Sequence, residues 1–140
     1  TMPAQPKFVI FAHHATYDTL HQVATLGLTA AAMGKDVIVI LLFWTIKKLA
    51  EGKIDVIDFP PEYASSADEV ARLLKEKKVP KISEMFQDAK HVGKFRLIAC
   101  SAGLEYMGVD SAVVEKNVDE VMGLPAIIAL TSDAETKLFI

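Results

Sequence analysis

The stretch Phe8–Leu42, FVIFAHHATYDTLHQVATLGLTAAAMGKDVIVILL, decides the fold. Phe8-Val9-Ile10-Phe11-Ala12 is a continuous apolar run, the pattern of a strand covered on both faces. Leu20, Val23, Ala24, Leu28 and Ala31 then recur at helical spacing, with Thr16 or Asp18 as cap and Gly34 as the stop. Asp36-Val37-Ile38-Val39-Ile40-Leu41-Leu42 is a second run of the buried kind. Strand, helix and strand in this span form one βαβ unit, which predicts a parallel sheet with right-handed crossovers.

Outward from that unit the pattern continues. Phe43–Leu49 predicts a helix stopped at Gly52, and Pro60-Pro61-Glu62-Tyr63 is a break. Two amphipathic helices follow near Ser66–Lys77 and Ser83–Lys90, so residues 60–92 read as a helical insertion. Phe95–Ala99 predicts a third strand, closed by Cys100. A short helix from Ser101 ends at Gly108, and Asp110 or Ser111 caps another through Glu115. Pro125 opens a helix through Ala134, and Thr136–Ile140 is a terminal strand. The expectation is a single α/β domain over residues 1–140. It is a doubly wound, flavodoxin-like three-layer sandwich on a mostly parallel sheet.

Such sheets bind ligands beyond the carboxyl ends of their strands, where strand order reverses. Three strands deliver chemistry to that rim: Ala12-His13-His14-Ala15-Thr16, Phe43-Trp44-Thr45 and Cys100-Ser101. Cys100, the chain's one cysteine, lies between a strand end and a helix start, where unpaired backbone N–H groups favour an anionic thiolate. The competing reading is a small buried residue that fills space. His13 or His14 could shuttle a proton for Cys100, join it in a zinc site, or only hydrogen-bond the loop. Adjacent histidines at a strand end point to opposite sides, which disfavours zinc. Trp44 reads as a packing or interface aromatic.

Composition narrows the classes. The 140 residues carry a formal charge of −3 and no basic stripe, against nucleic acid as partner. A hydrophobic fraction of 51% exceeds the need of a small monomer and predicts a doubly covered sheet or a shared subunit face. One cysteine excludes an internal disulfide and fits a reduced, cytoplasmic setting. Lys7–Ala12 lacks the length and flanks of a signal peptide, and Val37–Trp44 is too short to span a bilayer, which leaves membrane contact peripheral at most. There is no glycine pattern for a dinucleotide or phosphate loop, and no Gly-x-Ser-x-Gly elbow.

The segment Ala99-Cys100-Ser101-Ala102-Gly103-Leu104-Glu105-Tyr106-Met107-Gly108-Val109 resembles the cysteine motif of the DsrE/DsrF-like (DsrEFH/TusD-like) sulfur-relay proteins. Ala30–Val37 followed by Leu42-Phe43-Trp44-Thr45 resembles that family's first helix, second strand and aromatic turn, and Lys137–Ile140 its last strand. The Phe-Trp turn is closest to the branch of archaea and sulfur-metabolising bacteria, which more typically carries Met where Ala102 and Gly103 stand.

The resemblance implies a sulfur carrier. Cys100 accepts a sulfane sulfur, as persulfide or thiosulfonate, and passes it to a TusA-like carrier protein. It also implies a homo-oligomer, trimer or hexamer, working without cofactor or metal. Ser101, with His13, His14 and Thr45, would assist or bind the sulfur species. This reading expects a partly exposed Cys100 thiol. The alternative is an oligomeric binding or scaffold protein of the same fold with an inert Cys100.

Overall fold

The computed structural model describes residues 4–140. One five-stranded sheet forms, in the order β4-β3-β2-β1-β5, and every neighbouring pair is parallel. Its strands are β1 (Lys7–Ala12), β2 (Asp36–Leu41), β3 (Lys94–Cys100), β4 (Glu120–Met122) and β5 (Thr136–Phe139). The helices are α1 (Tyr17–Ala32), α2 (Trp44–Ala50), α3 (Ala67–Glu76), α4 (Ile82–Val92), α5 (Ser101–Tyr106), α6 (Ser111–Glu115) and α7 (Leu124–Thr131), with a 3₁₀ turn at Pro61–Ser66. They lie on both sides of the sheet, which gives the α/β, flavodoxin-like layering expected from the βαβ signature.

The central strands explain the unbroken apolar runs. Val37 to Leu41 of β2 and Leu97 to Cys100 of β3 are all buried, since helices cover both faces and neither can alternate with polar residues. Each fully buried aliphatic side chain there contributes about 1.5–3 kcal/mol. Register is level across the sheet: Ala12 pairs with Leu41, Leu41 with Ala99, and Cys100 with Met122. The chain steps outward from β1 to β4 and then crosses back to place β5 on the far side of β1, so strand order reverses at β1.

The expected insertion over residues 60–92 divides in two. Helix α4 buries Ile82, Met85, Phe86 and Ala89 and packs beside α1 and on β3, so it is the crossover helix of the β2–β3 unit. Only the 3₁₀ turn and α3, which buries no residue fully, are additional. Helix α1 comes close to the next crossover: a Cβ on Gly93 would lie 2.5 Å from the Ala31 carbonyl oxygen. Just past the end of α1, Gly34 has φ +86°, the left-handed position after a helix that glycine fills without strain.

Strand β4 has no counterpart in the sequence expectation. It is three residues long and is tacked to β3 from Asp119, whose carboxylate accepts the Leu97 N–H at 2.8 Å and pairs with Lys90 at 2.9 Å. The Asp119 N–H returns a bond to the Leu97 carbonyl at 2.9 Å. Helix α7 ends at Thr131, where the expectation ran to Ala134. Among the described residues, no helix is long and apolar enough to cross a membrane.

Candidate functional site

Parallel pairing brings the carboxyl ends of β1, β2 and β3 to one rim, so His13, His14, Trp44, Thr45, Cys100 and Ser101 share an edge of the molecule. They do not form one cluster. The strand between them decides this: β1 and β3 lie on either side of β2, two strand spacings or about 10 Å apart.

The β2 end carries the tightest construction. Thr45 is fully buried, its hydroxyl donating to the Ala12 carbonyl at 2.8 Å and accepting the Leu42 N–H at 3.0 Å. That hydroxyl thus ties the β2 turn to the end of β1. The sequence reading has Thr45 assist or bind the sulfur species; its hydroxyl is instead consumed by the fold. Just before it, Phe43 has φ +55° and ψ −110°, a conformation costly for a residue with a side chain, by about 1–3 kcal/mol. The strained turn leaves the Phe43 and Trp44 rings exposed, edge to face at 5.6 Å. Trp44 is therefore not a core aromatic.

Cys100 ends β3 and precedes α5 at the capping position, with extended backbone. Its exposure is 3%, against the expected accessible thiol. The cover is geometric: α5 turns back at once, and Gly103 lies so close to α2 that a Cβ there would meet Ile46 Cδ1 at 2.5 Å and the Cys100 Cβ at 3.8 Å. Ser101 is exposed beside it, its hydroxyl oxygen 3.7 Å from where a Cβ on Gly123 would stand.

His13 and His14 are both exposed, and their rings lie 4.0 Å apart at 38°. The expected divergence of the two side chains is thus corrected. The strand pairing has ended by His14, after the His13 N–H bonds the Ile140 carbonyl at 2.9 Å, so alternation no longer applies. Among the described residues neither ring hydrogen-bonds Cys100, and no three His, Cys, Asp or Glu side chains converge as a metal set.

A cleft of about 720 Å³ opens beyond the end of β1. One wall is the β1–α1 loop with His14 and Thr16 and the first turn of α1 with Thr19, the second is the α2 face with Trp44 and Lys47, and the third is Asp58 with Pro60 and Pro61. Lys48, 8% exposed, anchors its floor: the ammonium donates to the Ala15 carbonyl and pairs with the Asp58 carboxylate, each at 2.7 Å. Asp58 also accepts the Tyr17 N–H at 2.8 Å, which fastens the start of α1 to the same wall. Behind it, burial and then the Asp55 carboxylate push the Tyr17 hydroxyl above its ordinary pKa. Sequence reading missed this cleft, because no spacing links Lys48 to Asp58 or to Pro60. Cys100 does not line it.

No family model matches the chain, and no curated protein matches it significantly. Solved structures do resemble it. The ychN protein from E. coli is similar with a TM-score of 0.62 and 16% identity, over 98% of this chain and 100% of that one. BT1422, a conserved protein of unknown function from Bacteroides thetaiotaomicron, is similar with a TM-score of 0.58 and 18% identity, over 96% and 95% of the two chains. At these identities the likeness is one of fold, and it extends over nearly the whole of each chain.

Proposed function

We propose that the protein is a sulfur carrier of the DsrE-like kind, acting through Cys100. The observation that supports this most is the position of the chain's one cysteine: it ends a central parallel strand at the sheet's carboxyl rim, immediately before a helix. That edge is where α/β sheets host their chemistry. The Cys100 thiolate attacks the terminal sulfur of a donor persulfide, a Cys100 persulfide forms, and the donor leaves as its thiolate. An acceptor thiolate on a TusA-like carrier then takes the same sulfur and releases Cys100. No net oxidation occurs, and no cofactor is required. Ser101 borders the bound sulfur, and the exposed histidines serve the incoming partner. The working form is a homo-oligomer, trimer or hexamer, supported by exposed Leu124, Ile128 and Phe139.

The 3% exposure of Cys100 favours a second reading, a binding or scaffold subunit whose cysteine is inert. Intact mass spectrometry separates them. The protein is incubated with glutathione persulfide or with tetrathionate, beside Cys100→Ser. Tetrathionate transfers a thiosulfonate group to the thiolate and releases thiosulfate. The carrier reading expects one sulfur or one thiosulfonate per chain in the native protein and none in the variant. Equal uptake by Cys100→Ser, or uptake only after unfolding, overturns it.

A further inference from the structure

We infer that the cleft beyond β1 binds a small aromatic oxyanion, at a site separate from Cys100. Its volume of about 720 Å³ lies within the range of small-molecule sites, roughly 300–1,000 Å³, and it opens beyond the carboxyl ends of β1 and β2. Its charges are arranged unevenly. Lys48 and Asp58 neutralise each other at 2.7 Å. Glu51 is shared between Lys53 at 3.0 Å and Lys47 at 3.9 Å. Three ammonium groups thus face two carboxylates, and the loosely held Lys47 carries the excess. An anionic head bonds Lys47 without breaking a short ion pair.

The same lysine defines where the rest of the ligand lies. Its Nζ is 6.0 Å from the centre of the Trp44 ring, and Trp44 is 51% exposed at the cleft wall. The ammonium lies over that ring, so a ligand ring packed along Trp44 next to the lysine carries its substituent beside Lys47, and Pro60 and Pro61 add apolar surface to the same cleft. The excess of one ammonium group favours an anionic head over a cationic one. The floor is rigid, because buried Lys48 joins Ala15 to Asp58 while Asp58 holds α1. This preorganisation lets the site bind without ordering a loop.

The test uses 8-anilinonaphthalene-1-sulfonate and its neutral counterpart, N-phenyl-1-naphthylamine. Trp44 is the chain's one tryptophan, so energy transfer from it to the probe follows binding, and the Lys47→Glu variant assigns that binding to this cleft. The sulfonate is expected to bind at one per chain, and the neutral probe more weakly. Lys47→Glu is expected to weaken the sulfonate roughly three- to tenfold while sparing the neutral probe. Lys137→Glu, on the edge strand, is expected to leave both unchanged. Benzoate and phenyl phosphate are added in separate arms; displacement of the sulfonate by either supports the site, and the stronger competitor names the head group. Equal binding of the two probes, indifference to Lys47→Glu in a folded variant, or failure of both competitors overturns the inference. Cys100→Ser keeps wild-type sulfonate affinity, so this outcome is independent of the sulfur-carrier reading.

Discussion

Replacing Thr45 by Val tests whether the rim is held together by one hydroxyl. The substitution keeps the shape of the side chain and exchanges the hydroxyl for a methyl group. The lost bonds are the donation to the Ala12 carbonyl at 2.8 Å and the acceptance from the Leu42 N–H at 3.0 Å. A buried polar group left wholly unpaired costs about 1–3 kcal/mol. Here the Leu42 N–H still reaches the Ala12 carbonyl at 3.0 Å, so neither backbone group is orphaned and the cost falls at the lower end. We expect a loss of about 1–2 kcal/mol, or roughly 3–8 °C in the melting temperature for a chain of this length. Thermal unfolding by circular dichroism measures it. Hydrogen exchange adds a local reading, in which the Leu42 amide exchanges faster in Thr45→Val than in the parent. Thr45→Ser keeps the bonds and loses one buried methyl, about 1 kcal/mol, and does not speed that amide. A Thr45→Val protein as stable as the parent, with the Leu42 amide equally protected, would refute the reasoning.

Three further outcomes follow from the packing. In Gly93→Ala the new Cβ meets the backbone carbonyl oxygen of Ala31 2.5 Å away, which no side-chain rotation relieves, and the strain of about 1–3 kcal/mol outweighs the gain of about 0.4–1 kcal/mol from stiffening the unfolded chain. Its melting temperature is expected to fall, and a rise would show that α1 and the start of β3 are not this close. His21 has a buried Nε2 with no hydrogen-bond partner among the described residues, beside the Tyr17 ring at 5.5 Å. His21→Phe removes that unpaired atom and is expected to hold or raise stability in urea titration, whereas a loss above about 1 kcal/mol contradicts the assignment. The raised Tyr17 pKa, from burial first and Asp55 second, means that the unfolded chain releases this proton more readily. The stability it contributes is present below the ordinary tyrosine pKa of about 10 and is lost as pH rises through the higher folded value. Tyr17→Phe therefore flattens the alkaline limb of melting temperature against pH; an unchanged limb argues against the shift.

What sequence patterning reveals depends on who covers each residue. Strands β1, β2 and β3 are legible because both of their faces are buried, so they write themselves as continuous apolar runs. Strand β4 is held by the Asp119 side chain and by pairing at only three positions, a long-range arrangement with no local signature. Helices α3 and α4 carry similar amphipathic stripes, and periodicity does not separate them. Contact with α1 makes one a crossover helix and leaves the other at the surface. The rim obeys the same logic. Topology alone assigns Cys100 to it, but the burial of Cys100 comes from α5 folding back against Ile46, a contact between distant segments.

Residues 43–46 connect the two loci of the rim. Trp44 faces the cleft, Thr45 fastens the turn to β1, and Ile46 packs where α5 leaves Cys100. Consecutive side chains at the start of α2 point about 100° apart, which sends these three to three destinations, and the chain enters that helix through Phe43 at φ +55°. Because a strained turn persists only where its surroundings over-determine it, the Thr45 bonds and the Ile46–Gly103 contact are what hold it. Loosening either contact changes the Trp44 wall and the cover of Cys100 together. Charge reversal at Lys47, which is exposed on α2 and bonds neither strand, changes only the cleft. Tryptophan fluorescence and Cys100 alkylation, measured side by side, should move together in Thr45→Val and separate in Lys47→Glu.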